Sequence, residues 1–190
     1  MLAGGRSTRF GSDKLGAPYR GMPLLHHAVL RLAEVCPEVI VVIAPGAADP
    51  ILPMGVRARV VRDPTEGEGP LAGLHAGLLA AAAAEWALVA GGDMPDLQTA
   101  VLLEMLRVAD EAQTDAVALQ DGDGFRPLPC VLRGGPALDG AHMLLHAGRR
   151  SLRELLRSLR TSVIDERTWQ ALDPARLTLR DVDTRDDLED

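Results

Sequence analysis

Lys14 is the only lysine in a chain whose 20 Lys and Arg residues are otherwise all arginine, and it closes the run AGGRSTRFGSDK. Closely spaced glycines let backbone N–H groups face a phosphate, and Arg6, Arg9 and Lys14 add positive charge to that run. The bland alternative is a flexible Gly–Arg turn ending in a solvated lysine. What favours chemistry is the residue type. A lysine ammonium is a compact point charge on a flexible stem, where arginine offers a planar fork. The spacing is neither a Walker loop, which needs GxxxxGK[ST], nor the GxGxxG dinucleotide fingerprint.

Two acids stand where such a loop would need them. In AGGDMPDL (90–97), Asp93 falls just past the C-terminal end of an expected buried strand. Ligands of open α/β sheets collect at that edge, so Asp93 is placed either to hold a metal bound to phosphates or to cap a turn before Pro95. In RDPTEGEGPLAG (62–73), Asp63 ends another strand and a Gly/Glu loop leads into a helix at Pro70. That segment reads equally as a ligand loop or as an ordinary connection. Other constellations read as structure. His142 and His146 in HMLLH are four apart but lack the glutamate of HExxH. DGDGFRPLP starts like a calcium loop but has Leu132 at its twelfth position, so it reads as a turn. RRSLRELLRSLR reads as a solvated helix face.

Composition narrows the class. A net charge of -7 argues against a nucleic-acid partner, and five aromatics leave few platforms for stacking bases. No apolar run reaches membrane-spanning length. Cys36 and Cys130 form no metal-ligand spacing and suggest thiols in a reducing cytoplasm. The expectation is a cytoplasmic protein whose small ligand is an anion.

The elements that must hold these residues alternate. EVIVVIA (38–44), ARVVRD (58–63), WALVAGGD (86–93) and DAVALQ (115–120) read as buried strands rich in β-branched residues. Between them, PLLHHAVLRLAEV (23–35), PLAGLHAGLLAAAAAE (70–85) and LQTAVLLEMLRVADEA (97–112) read as helices, with Asp96 expected to cap the third. Strand–helix alternation implies a mostly parallel central sheet covered on both faces, a Rossmann-like three-layer α/β/α domain over residues 1–190. After residue 120 the rhythm changes. RPLPCVLR (126–133) reads as a Pro-containing edge strand, SLRELLRSL (151–159) as a short helix, and TLRDVDTRDDL (178–188) as a late strand running into a terminal helix. Only Met1 and Leu2 precede the AGGRSTRFG loop, so the first strand is expected to be unusually short or to begin upstream, the latter being favoured.

Taken together, LAGGRSTRFGSDK, GPLAGLHAGL, GGDMPDL, RPLP and DVDTRDDL resemble the MobA-like nucleotidyltransferases, in particular the molybdenum cofactor guanylyltransferases. The motifs keep the family's order and span essentially the whole chain. The resemblance implies transfer of GMP from GTP to molybdopterin with release of pyrophosphate, dependent on Mg2+. It assigns Lys14 to the nucleotide phosphates and Leu2, Ala3, Gly4, Gly5 and Arg6 to the loop around the nucleotide. Asp63, Gly69 and Leu71 join the nucleotide site, Asp93 binds the metal, and Asp183, near the metal and the second substrate, is either a second metal ligand or a residue that alters the acceptor site. Lys14 and Asp93 carry the catalysis. Asp183 occupies a position where relatives often carry Asn, and Pro45 one where some carry a nucleotide-contacting Asn. The paired glycines of LAGG together with GPLAG favour guanine over cytosine, by resemblance alone. Alternatives are another base or acceptor (cytidylyl transfer to molybdopterin, or transfer to a sugar phosphate) and a non-catalytic nucleotide-binding relative. Partners implied are the two small substrates and transient contacts with other proteins of molybdenum cofactor biosynthesis.

Overall fold

The computed structural model describes residues 1–4, 14–64, 69–81 and 84–188. In chain order its elements are a tiny hairpin, β1 (Pro18–Tyr19) and β2 (Met22–Pro23), then α1 (Leu24–Ala33), β3 (Val39–Ile43) and β4 (Ala58–Arg62). There follow α2 (Pro70–Ala80), β5 (Trp86–Val89), α3 (Thr99–Glu111), β6 (Ala116–Asp121), β7 (Gly124–Arg133) and α4 (Gly134–His146). The chain then runs through α5 (Leu152–Ser158), β8 (Thr161–Ile164) and α6 (Glu166–Leu172).

β3 pairs in parallel with β4, and a second ladder runs in the order β5-β7-β6-β8. Leu2 forms parallel bridges to both Val42 and Gly91, which joins the two ladders side by side. Four backbone bonds of 2.8–2.9 Å make that junction: Leu2 to Ala90, Gly92 to Leu2, Ala3 to Val42 and Val42 to Met1. The resulting sheet is parallel except for β7, which runs antiparallel to both neighbours.

Alternation along the strands sends successive side chains to opposite faces. Ala116, Ala118, Cys130 and Leu132 pack into one core with Leu71, Leu74, Ala137, Ala141 and Leu155 of α2, α4 and α5. Val117, Leu119 and Val131 face the other way, against Val101, Met105 and Trp169 of α3 and α6. α1 covers β3 on that second face through Leu25, Val29 and Leu32. These are the three layers expected of alternating strands and helices.

Four expectations are corrected. RPLPCVLR is not an edge strand: β7 lies between β5 and β6. Its prolines, which have no N–H to give, fall where the β6 register shifts between Ala118 and Leu119 and where β5, pairing only with Cys130–Arg133, makes no demand. β4 is a half-exposed edge rather than a buried strand, since its described partner is β3 alone. Asp96 does not cap α3, whose N-cap is Gln98. Residues 178–188 form no strand and no terminal α-helix, only 3-10 turns at Leu177–Leu179 and Asp186–Leu188 joined by a stretch without regular secondary structure. Asp173 explains the first turn. Its buried carboxylate accepts from the N–H groups of Leu177 and Thr178 at 3.0 and 2.7 Å, taking donors a ladder would need.

Candidate active site

The C-terminal ends of the first-strand segment, β4 and β5 deliver Gly4, Asp63 and Asp93 to one edge of the sheet. Lys14 returns to that edge through a turn in which Ala17 N–H donates to Lys14 C=O and Leu25 N–H to Leu15 C=O. Its ammonium donates to Asp93 Oδ2 at 2.9 Å and to Asp183 Oδ1 at 3.4 Å. One nitrogen thus draws together residues 79 and 169 positions away. Lys14 is nearly enclosed, with 11% of its side chain exposed, while Asp93 and Asp183 stand 34% and 66% open. The carboxylates face solvent and the cation sits beneath them.

The chain around β5 fixes Asp93. Val182 N–H donates to Asp93 C=O at 2.9 Å, so the C-terminal segment hangs on the same turn that carries the acid. Gly91 leaves the room. A Cβ there would lie well inside the 3.0 Å that real Cβ atoms keep from Asp93 Oδ1, and 3.2 Å from Met94 Cγ. Gly91 N–H meanwhile points at Met94 Sδ, 3.3 Å away. The glycine doublet of GGD is the sequence signal for this close approach, and sequence reasoning passed over it.

Asp181 and Arg126 also belong to the cluster and were missed as individual residues. Arg126, from the RPLP segment, donates to Asp181 Oδ2 at 2.8 Å and to Leu179 C=O at 3.1 Å. Burial pushes the Asp181 carboxyl above its ordinary value. Arg126 opposes this, while Asp93 and Asp183 add repulsion.

Asp63 and the start of α2 stand further along the edge. Asp63 N–H donates to Ile43 C=O, and its Oδ2 lies 3.8 Å from where a Cβ on Gly73 would be. Gly69, the N-cap of α2, has φ +78°, and a side chain there would meet Arg150 Cβ at 3.3 Å. Leu71 is fully buried, so α2 offers a ligand only its backbone at that position. The N–H and C=O of Leu2 and the N–H of Ala3 serve the sheet, so these residues anchor the glycine loop. Gly5 and Arg6 lie outside the described residues. Asp63 is separated from Asp93 by β3 and the first strand, and the cluster around Lys14 is the part the structure draws tight.

A family model described as a MobA-like NTP transferase domain matches residues 1–171. The chain belongs to this family. Molybdenum cofactor guanylyltransferase of Desulfosudis oleivorans is 28% identical over 190 residues, covering all of this chain and 91% of that protein. A probable molybdenum cofactor guanylyltransferase of Chloroflexus aggregans is 34% identical, covering all of this chain and 90% of the relative. The molybdopterin-guanine dinucleotide biosynthesis protein A structure from Archaeoglobus fulgidus superposes with a TM-score of 0.77 at 21% identity, over 99% of this chain and 93% of that one. A 2-C-methyl-D-erythritol 4-phosphate cytidylyltransferase from Thermus thermophilus gives 0.70 at 14%, over all of this chain and 95% of that one. These two structures share the fold.

Within this MobA-like chain, the features read as structure find structural partners. Asp121 of the DGDG turn accepts from Arg176 at 2.7 Å. His142 and His146 on α4 meet edge to face at 4.5 Å, and His75 of α2 stacks on His142 at 5.9 Å. Burial, helped by the neighbouring His142, holds the His75 imidazole below its ordinary value. Among the described residues no three or more of His, Cys, Asp and Glu converge to cage a metal, and no helix is long and apolar enough to cross a membrane.

Proposed function

We propose that this chain transfers GMP from GTP to molybdopterin, releasing pyrophosphate, in the cytoplasm. The observation that carries the reading is the sharing of one enclosed ammonium between Asp93 and Asp183 at the ligand-binding edge of the sheet. The names of the full-length relatives support the base and the acceptor.

An oxygen of the molybdopterin phosphate attacks the α-phosphorus of GTP, forming the new P–O bond as the bond to the pyrophosphate oxygen breaks. Lys14 places a full positive charge beneath the phosphates, where negative charge shifts towards the leaving group. Its near-enclosure makes that charge count for more than it would in water. Glycine-loop N–H groups and the first turn of α2 orient the remaining phosphate oxygens. No side chain need act as a covalent nucleophile, because phosphoryl chemistry of this kind rests on positioning and electrostatics.

The acids fit a hard divalent cation. Both carboxylates bond one nitrogen, so their oxygens lie within 6.3 Å of each other, the sum of the two contacts. Magnesium takes one or two protein carboxylates and fills its shell with water and phosphate oxygen, so a pair of acids without a cage suits it. Asp93, with Asp183 beside it, would hold Mg2+, which when bound neutralises phosphate charge.

Calorimetric titration with Mg2+ present tests the base: GTP binds more tightly than CTP, and equal or tighter CTP binding overturns the guanylyl reading. Incubation with molybdopterin and each nucleotide then shows whether the guanine dinucleotide forms.

A further inference from the structure

We propose that Asp96 is a positioning residue whose buried carboxylate ties together the three chain segments bearing Lys14, Asp93 and Asp183, and so sets where the ammonium sits between the two acids. The inference rests on the proposed role of that trio in nucleotidyl transfer.

Asp96 is 8% exposed, and a carboxylate so placed is costly unless paired and hydrogen-bonded. Its partners come from far along the chain. Tyr19 Oη donates to Oδ2 at 2.9 Å, Arg20 Nη1 donates to Oδ1 at 2.7 Å, and Arg180 Nη1 lies 3.6 Å from Oδ2. Each partner is a near neighbour in sequence of a site residue. Tyr19 and Arg20 follow Lys14 by five and six positions, Asp96 follows Asp93 by three, and Arg180 precedes Asp183 by three.

The obvious local employment of Asp96 is declined. It stands two residues before the N-cap of α3, yet that helix has no side-chain cap, and Gln98 Nε2 instead donates to the Asp96 carbonyl at 2.8 Å. The carboxylate is turned away from its own helix towards the β1–β2 hairpin and the C-terminal segment.

The two-residue turn of the hairpin, Arg20-Gly21, has positive φ at both positions and presents Arg20 to this contact. Arg20 has φ +43°, a conformation that favours glycine and costs a non-glycine residue about 1 kcal/mol or more. Such strain persists where the surroundings hold it, and here Arg20 both reaches Asp96 and lies over the Tyr19 ring at 4.7 Å. Beneath the polar tie, Tyr19, Leu24 and Val182 form a buried apolar cluster that includes the residue just before Asp183. Hairpin, β5 turn and C-terminal segment therefore meet at the Asp96 carboxylate, above the apolar cluster that they also share.

Lys14 being the sole lysine makes its environment directly readable. Acylation of its amine by a water-soluble active ester, followed by peptide mass spectrometry, reports how enclosed it is without any assay of activity. In Asp96→Asn, which keeps the shape and removes the charge, Lys14 acylates at least about fivefold faster. The rate constant for GMP transfer falls on the order of 10-fold to 100-fold, as for a misplacement approaching 1 Å, while KM for GTP changes less than about threefold. Tyr19→Phe, which deletes one bond to Asp96, gives the same pattern in weaker form. Asp115→Asn, which breaks an ion pair with Arg160 remote from these segments, serves as a control for mere destabilisation and leaves Lys14 acylation unchanged. Wild-type acylation and turnover in a folded Asp96→Asn protein overturn the proposal. Should that variant not fold, wild-type values in Tyr19→Phe overturn it. If wild-type protein transfers no GMP, the guanylyl reading fails, and the acylation arm still decides whether Asp96 holds Lys14 in place.

Discussion

Gly91→Ala separates position from stability in this site. The added methyl meets Asp93 Oδ1 and the Met94 thioether, not backbone. Both are ends of flexible side chains, so the fold can absorb the methyl by moving them. Restoring ordinary contact requires the Asp93 oxygen to retreat by roughly 0.5–1 Å. A metal-ligating oxygen tolerates about 0.2 Å, and a misplacement near 1 Å costs on the order of 10²-fold in rate. The expected outcome is a turnover loss of about 10²-fold with a melting temperature within roughly 2–4 °C of wild type, the shift expected from about 1 kcal/mol in a chain of this size. Initial-rate measurements of pyrophosphate release beside a thermal melt provide both numbers. Turnover within threefold of wild type would refute the claim that Asp93 must occupy its observed place. A collapse in stability would refute the claim that only flexible atoms are displaced.

Three other outcomes follow from the same geometry. Lys14→Ala lowers turnover by about 10²-fold or more, as for other transition-state charge contacts, and Lys14→Arg does not fully restore it, because a guanidinium is bulkier than the ammonium and its donors have a fixed geometry; wild-type turnover in the Arg variant contradicts this. Asp93→Asn abolishes turnover with the fold intact, whereas Asp183→Asn keeps an oxygen that can accept from Lys14 and restores the residue that relatives often carry there, so it stays within about fivefold of wild type, against the roughly 10²-fold cost of losing a direct charge contact; steady-state kinetics of the two variants decide. Asp115 accepts from Arg160 at 2.7 and 2.9 Å, and those bonds hold its carboxyl below the ordinary value. A depressed folded value means stability present above the unfolded value near about 3.9 and lost as the pH falls through the folded one, so Asp115→Asn lowers the melting temperature at neutral pH and converges on wild type in acid.

The parts of the site legible in the sequence were those carried by local motifs. A lone lysine after a glycine run and an acid after an apolar strand named Lys14 and Asp93 before any contact was known. Their convergence with Asp183 rests on the C-terminal segment, and there local pattern misled. TLRDVD alternates like a strand, but Asp173 captures the N–H groups that would enter a ladder, and Arg176 turns the chain with φ +58°. β7 was visible as a strand but not as a central one, because its second neighbour is the distant β5, paired from Val89 with Cys130 to Trp86 with Arg133. Helix α4 was hidden by its glycines, which local propensity counts against a helix. Gly140 is there for packing: a Cβ would come within 2.9 Å of Leu155 on α5. Asp96 illustrates the same limit, reading as a helix cap locally and serving distant segments in the fold.

Among the described residues, the two ladders of the sheet meet only through Leu2 and its immediate neighbours. The stretch that launches the glycine loop is therefore also the zip between two half-sheets. Fraying it opens four rungs together, the amides of Leu2, Ala3, Val42 and Gly92, and these should exchange with solvent as one cooperative unit. A ligand gripping the loop closes the zip, and mass action passes part of its binding free energy to the seam. Nucleotide occupancy is then expected to appear as slower exchange at Val42 in one half-sheet and Gly92 in the other, so that filling the site also welds the domain.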